Sequence, residues 1–246
     1  MLLTVASASA WAKPQSTTVD FSSGTQGWLA LASDDGTGSV IDNSTGNGTP
    51  GLHMNYYFTG AMFWNQSNQS FLGDYTTSKS VSLGIDVNTH SIDSGGDDDG
   101  GAQYPRDFLV ELRQYTTPGD ASKYFSVWHM LGALDKNTGP LHFSATLADT
   151  GAAELASGWQ VYDSATDGDT LPAGTTLRDV LSRIDEVQFD TRVPGYSYDP
   201  AHYDVTVDNI SIKSAVPEPE QLAMLLAGLG VVGVVARRRR PVAATA

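Results

Sequence analysis

Flat apolar rings and carboxylates are the side chains that handle sugars, and this sequence holds both on candidate strands. Trp64, Tyr115 and Trp128 are rings that stack on a pyranose if their strand face meets solvent. The same residues serve equally well as core, which takes most tryptophans in a domain of this size. Carboxylates are abundant, 28 Asp and Glu against 14 Lys and Arg. A glycosidase sets two of them about a scissile bond. Glu111 with Asp86 is one such pair, although no spacing singles it out and surface acids account for it equally well. His53, His90, His129, His142 and His202 fall in no H-E-x-x-H motif. There is no nucleophile elbow and no glycine-rich phosphate loop. Asp97-Asp98-Asp99 lacks the alternating ligands and closing Glu of an EF-hand and reads as a solvated acidic loop. The Asn-x-Ser/Thr sequons at Asn43, Asn47, Asn65, Asn68 and Asn209 follow from a polar, loop-rich composition.

Short strands must position these side chains. Thr17–Phe21, Trp28–Leu31, Ser39–Ile41, Leu52–Phe58 and Ala61–Trp64 are separated by Gly, Ser, Asn and Asp clusters that favour turns. Ser80–Val87 alternates, with Val81, Leu83, Ile85 and Val87 on one face, as a half-buried antiparallel strand does. Phe108–Arg113 sets Phe108, Val110 and Leu112 against Leu109, Glu111 and Arg113. Gly119-Asp120 turns the chain into Lys123–Leu131, where Tyr124, Ser126, Trp128 and Met130 share a face. Leu141–Leu147, Gly158–Tyr162, Glu186–Thr191 and Tyr203–Lys213 complete the strands. The last changes phase at Asp208-Asn209, which predicts a bulge. One helix is expected after Thr176, with Leu177, Val180, Leu181 and Ile184 on its apolar face. The pattern predicts an all-β fold, a two-sheet antiparallel sandwich with one short helix.

The C-terminal stretch fixes compartment. Pro217 and Pro219 stiffen Val216–Glu220 into an exposed spacer. Leu222–Val235 carries no charge, and as a helix it rises about 21 Å, short of a bilayer core of roughly 30 Å. Gly228, Gly230 and Gly233 suit a membrane helix better than a soluble one, and arginine stems snorkel to make up length. Arg237-Arg238-Arg239-Arg240 then stops the run and stays cytoplasmic, which puts everything before Val216 outside. Val216-Pro217-Glu218-Pro219, the single transmembrane helix and the arginine cluster, in that order, resemble the PEP-CTERM sorting signal of Gram-negative bacteria. The resemblance implies export across the inner membrane, recognition by an exosortase, removal of the tail after transient anchoring, and a link to exopolysaccharide or biofilm at the cell surface. At the other end, Met1–Ala12 with Ala10-Trp11-Ala12 before Lys13 reads as the remnant of a signal peptide, because no basic region precedes its short apolar segment. The expected domains are therefore 1–12, the sandwich 13–215 and the sorting signal 216–246.

The sandwich has a resemblance of its own. Phe71-Leu72-Gly73-Asp74 before Ser80–Val87, then Thr176-Leu177-Arg178-Asp179-Val180-Leu181 leading into Val187–Thr191 and Val205–Ile212, resemble laminin B (laminin IV type A). The closing Val207-Asp208-Asn209-Ile210 belongs to the same pattern. Thr76-Thr77-Ser78-Lys79 replaces that family's usual tyrosine-glycine pair, and the segment around Asp97–Asp99 is an insertion. The resemblance implies a galactose-binding-like jelly roll used in matrix assembly. It also implies a structural Ca²⁺ tying the first strand to the last through Asp20 and Asp208, although two carboxylates fall short of the six to eight oxygens Ca²⁺ takes.

Composition limits partners. The net charge is −14, and the tail is basic, so the exported part is more negative still. Nucleic acid and anionic lipid surfaces are excluded as partners of that surface. Cysteine is absent, so the fold rests on its core. The sequence thus points to a non-enzymatic, exported protein that binds exopolysaccharide or matrix proteins. A polysaccharide hydrolase or lyase and a purely structural surface protein are the alternatives.

Overall fold

The computed structural model describes residues 15–31, 40–43, 50–93, 105–136 and 139–215. The leader, Asp97–Asp99, the run Leu222–Val235 and the whole sorting signal lie outside the described residues. Among the described residues no helix is long and apolar enough to cross a membrane.

Twelve strands form two antiparallel sheets among these residues. The first contains β1 (Gln15–Val19), β3 (Val40–Asp42), β4 (Gly51–Phe58), β6 (Ser80–Asp93), β9 (Leu141–Leu147) and β12 (Ala201–Ala215). The second runs β10 (Trp159–Asp163), β8 (Asp120–Leu134), β7 (Arg106–Thr117), β11 (Glu186–Asp190), β5 (Met62–Asn65), β2 (Trp28–Ala30). The chain passes back and forth between the sheets, β4 to β5 to β6 to β7, then β8 to β9 to β10, which is the winding of a jelly roll.

Alternation places the core. Val81, Leu83, Ile85 and Val87 of β6 point inward against Phe108, Val110 and Leu112 of β7 and Val187 and Phe189 of β11. Rings pack at the centre: Trp28 meets Phe71 edge-on with centroids 5.2 Å apart, and Phe189 lies between Trp28 and Phe108. The expected bulge is present and has a consequence. β12 pairs with β4 over Ala201–Val207 and with β1 over Ile210–Ser214, and its register against β6 slips between Asp208 and Ser211. Asn209 sits there at φ +50°, so the phase break marks where β12 changes neighbour. The expected helix is α1 (Leu177–Leu181), closed by a capping box in which Thr176 Oγ1 accepts from the Asp179 amide and Asp179 Oδ2 accepts from the Thr176 amide. A 3₁₀ turn at Tyr75–Thr77, capped by Asp74, was not legible as such in the sequence.

β7 alternates as expected, but both of its faces are covered, and residues 108–112 are buried throughout. The segment after β11 folds over the outer face of the second sheet, where Val193 and Tyr198 pack on Leu109 and Trp128 as a second, smaller core.

On the outer face of the first sheet, His53 Nε2 lies 2.8 Å from Asp204 Oδ1 and its Nδ1 lies 3.5 Å from Asp42. The hydrogen bond from His53 holds the Asp204 carboxyl below its ordinary value, and the charges of His53, His90 and His202 add to this. A depressed carboxylate contributes stability that is present above its unfolded value of 3.8 and lost as pH falls through the lower folded value. Asp204→Asn is therefore expected to cost about 0.5–1.5 kcal/mol at pH 7 and progressively less below pH 3.8. Urea unfolding of both forms across that range checks it.

Candidate functional site

The outer face of the second sheet is polar where its inner face is apolar. Glu186, Gln188 and Asp190 alternate with Val187 and Phe189 on β11, yet all five are buried. Register sets β7 beside them, Glu111 opposite Gln188 and Arg113 opposite Glu186, and β8 next, Trp128 opposite Glu111 and Ser126 opposite Arg113. β10 closes the edge with Gln160 opposite Trp128 and Tyr162 opposite Ser126.

Two neighbouring cavities open on this face. The outer one, about 300 Å³, is lined by Trp128, Gln160, Asp167 and Asp169. The inner one, about 200 Å³, is lined by Glu111, Arg113, Tyr124, Asp190 and Arg192. Tyr162 and the loop Pro194-Gly195-Tyr196 border both, so they form one groove. Gly195 holds φ +81°, a conformation costly for other residues, and this turn carries Tyr196 to 73% exposure over the groove. Tyr162 donates its hydroxyl to Asp167 Oδ1 at 2.6 Å. Burial and then that carboxylate push the phenol up to about 12.

The floor is an ion network. Arg113 donates Nε to Glu111 Oε2 at 2.7 Å and Nη1 to Glu186 Oε1 at 2.9 Å, and its guanidinium lies 4.3 Å over the Tyr124 ring. Burial alone would lower the Arg113 pKa, but Glu111, Tyr124 and Glu186 reverse this and raise it, so the charge is fixed. Arg192 donates Nη2 to Asp190 Oδ2 at 2.8 Å. Two buried side-chain oxygens on this face have no partner, Glu111 Oε1 in the floor and Ser126 Oγ on the neighbouring strand.

The sequence candidates separate. Trp128 lines the outer cavity, at 6% exposure, with most of its ring in the second core. Trp64, half-buried, lies on the same face but on β5, between Leu29 and Gln188 and outside both cavities. Tyr115 is 5% exposed and its hydroxyl donates to Glu186 Oε2 at 2.6 Å, so it supports the network and presents no open ring. The pair Glu111 with Asp86 is divided. Asp86 is on the first sheet, bonded to His142 and Asn209, with the whole sandwich between it and Glu111. Asp20 directly follows β1 and accepts twice from Ser22, whose hydroxyl and amide hold it below the ordinary carboxylate range. Asp208 is buried opposite Asp86. Among the described residues no group of three or more His, Asp and Glu side chains is arranged to hold a metal. The sequence reading passed over Arg113, Glu186, Asp190, Arg192, Tyr162 and Tyr196. A signal was present: Glu111/Arg113 and Asp190/Arg192 are opposite charges two apart, the first pair on one face of β7 and the second at the end of β11.

Comparison with known proteins decides the tail. The model of the PEP-CTERM protein-sorting motif matches residues 215–240. The chain carries a PEP-CTERM sorting motif. PEP-CTERM marks an exported protein that an exosortase sorts, so the groove described above is on a domain delivered out of the cytoplasm. No curated protein matches the chain. Among solved structures, a family 11 carbohydrate-binding module from Clostridium thermocellum, in complex with a β-1,3-1,4-mixed-linked tetrasaccharide, is similar at 12% identity and TM-score 0.43, over 82% of this chain and 98% of that one. A family 22 module of Clostridium thermocellum Xyn10B is similar at 9% identity and TM-score 0.40, over 81% and 93%. An exo-β-agarase is similar at 15% and 0.43, over 82% of this chain but 25% of the agarase. Such distant likenesses leave the reading of the site to this chain's own geometry.

Proposed function

We propose that this PEP-CTERM protein is a non-enzymatic glycan-binding module that holds exopolysaccharide in the matrix or at the cell surface, using the groove over its second sheet. The observation that carries this is the groove's composition. Tyr196 and Tyr162 offer rings, Trp128 lines the outer cavity beside them, and Gln160, Asp167, Asp169 and Glu111 offer acceptors to sugar hydroxyls. Before processing, Leu222–Val235 anchors the chain in the inner membrane.

Titration of the full-length chain with the producing organism's exopolysaccharide tests it, with reducing ends assayed in parallel. Saturable binding without product is expected. Tyr196→Ala weakens it about tenfold, as loss of an aromatic contact at the centre of a site does. Because Tyr196 is exposed, the melting temperature stays unchanged. Absence of binding would leave a structural role. Release of reducing ends would favour the hydrolase reading, for which the buried, unpartnered Glu111 Oε1 is the supporting observation.

The calcium reading joins Asp20 to Asp208. Their carboxylates alone do not complete a Ca²⁺ shell, and Asp86, opposite Asp208, is engaged by His142 and Asn209. Backbone carbonyls and water must supply the rest. A saturable rise in melting temperature with Ca²⁺, lost in Asp208→Asn, supports the ion. Identical melts in Ca²⁺ and EDTA remove it.

A further inference from the structure

The charges of the groove do not balance. Its lining holds four carboxylates, Glu111, Asp167, Asp169 and Asp190, against two guanidinia, Arg113 and Arg192, and Glu186 behind Arg113 is a fifth. Arg113 and Arg192 are committed to Glu111, Glu186 and Asp190. Glu111 is 1% exposed and lines the inner cavity, yet only its Oε2 is paired. Ser126 Oγ, on the neighbouring strand and the same face but outside the lining of both cavities, is a second buried polar atom without a partner. A buried acceptor left unmade is costly, so a ligand that brings a donor to it gains what the fold forgoes. Charge decides which donor. A hydroxyl brings one O–H donor and no charge. An ammonium brings three donors and the positive charge the groove lacks. A carboxylate would add repulsion.

We infer that the groove selects glycans bearing free, protonated amino groups, hexosamine units that are not acetylated, over N-acetylated, neutral and uronate-bearing chains. The inference rests on the glycan-binding reading of the same groove. The amine sits toward Glu111 in the inner cavity, the rings of Tyr162 and Tyr196 cover the sugar, and Asp167 and Asp169 at the outer cavity draw further amines along the chain.

Calorimetric titration of the full-length chain tests this with oligomers of glucosamine, N-acetylglucosamine, glucose and a uronic acid, at a pH where the amine is protonated. The glucosamine oligomer is expected to bind about tenfold more tightly than its acetylated counterpart, and the margin narrows as salt rises. Glu111→Gln brings the two to within about twofold, because it removes the buried charge that the amine meets and the acetylated sugar does not. Asp169→Asn, at an exposed position with no structural cost, reduces the margin by about threefold and keeps the test valid if Glu111→Gln folds poorly. Equal binding of aminated and acetylated oligomers overturns the inference and leaves the glycan groove standing. Binding of none of the sugars overturns the glycan groove itself. Tighter, Glu111-dependent binding of lysine oligomers would make the ligand a basic peptide and overturn the inference as well.

Discussion

Arg113→Ala is expected to destabilise the fold by about 3–5 kcal/mol, because it strands two buried carboxylates without their counter-ion. Glu111 and Glu186 are both almost fully buried, and Arg113 is the cation bonded to both. At about 2–4 °C per kcal/mol for a chain of this size, melting falls on the order of 10 °C. Charge, not volume, causes the loss. Arg113→Met combined with Glu111→Gln and Glu186→Gln buries no net charge and recovers most of the stability. Thermal melts of the single and triple variants, read by circular dichroism, check this. If the triple variant were no more stable than Arg113→Ala, the contact of the guanidinium with the Tyr124 ring would be the larger contribution. Either way the inner cavity loses its floor, so glycan binding falls in Arg113→Ala beyond what the fraction unfolded explains.

Phe189→Ala removes a ring from the centre of the main core and is expected to cost about 3–5 kcal/mol. Phe189 is fully buried, 5.8 Å from Trp28 and 6.2 Å from Phe108 between ring centroids. It belongs to β11, whose other face carries Gln188 and Asp190, so one substitution loosens the strand that positions half the ion network. Urea unfolding gives the cost. Phe189→Leu, which keeps most of the volume, loses less than half as much, because the cavity it leaves is smaller. A loss equal to that of alanine would mean that stacking between the rings dominates.

Much of the fold was legible because period-2 alternation records which face of a strand is buried. Ser80–Val87 shows this, with Val81, Leu83, Ile85 and Val87 all in the core. The phase break at Asp208-Asn209 was legible for the same reason, since two apolar residues cannot share a face across a bulge without a shift in count. Thr176 and Asp179 signalled α1 because a capping box acts within one turn of chain. Strand ends were less legible. β6 runs on to Asp93 and β8 to Leu134, lengths set by pairing with β12 and β7 and not by local preference.

The site was legible only in fragments. Trp128 was a candidate from its residue type, but the same criterion chose Trp64, three strands away, and Tyr115, which is spent on Glu186. Glu111 was noticed and given the wrong partner. Its actual neighbours are Arg113, on its own strand, and the floor formed with β11, about seventy-five residues later in the chain.

By itself the sequence determined the sorting tail, the all-β sandwich, the inward faces of its strands and the short capped helix. Each of these depends on residues within a few positions of one another. Tertiary structure alone decided that Glu111, Arg113, Glu186, Asp190 and Arg192 meet, that Tyr196 is raised over Tyr162, and that the outer face of β7 is covered. Periodicity tells a side chain which way to point, but the residue it faces depends on strand order, which is a property of the packed sheet as a whole.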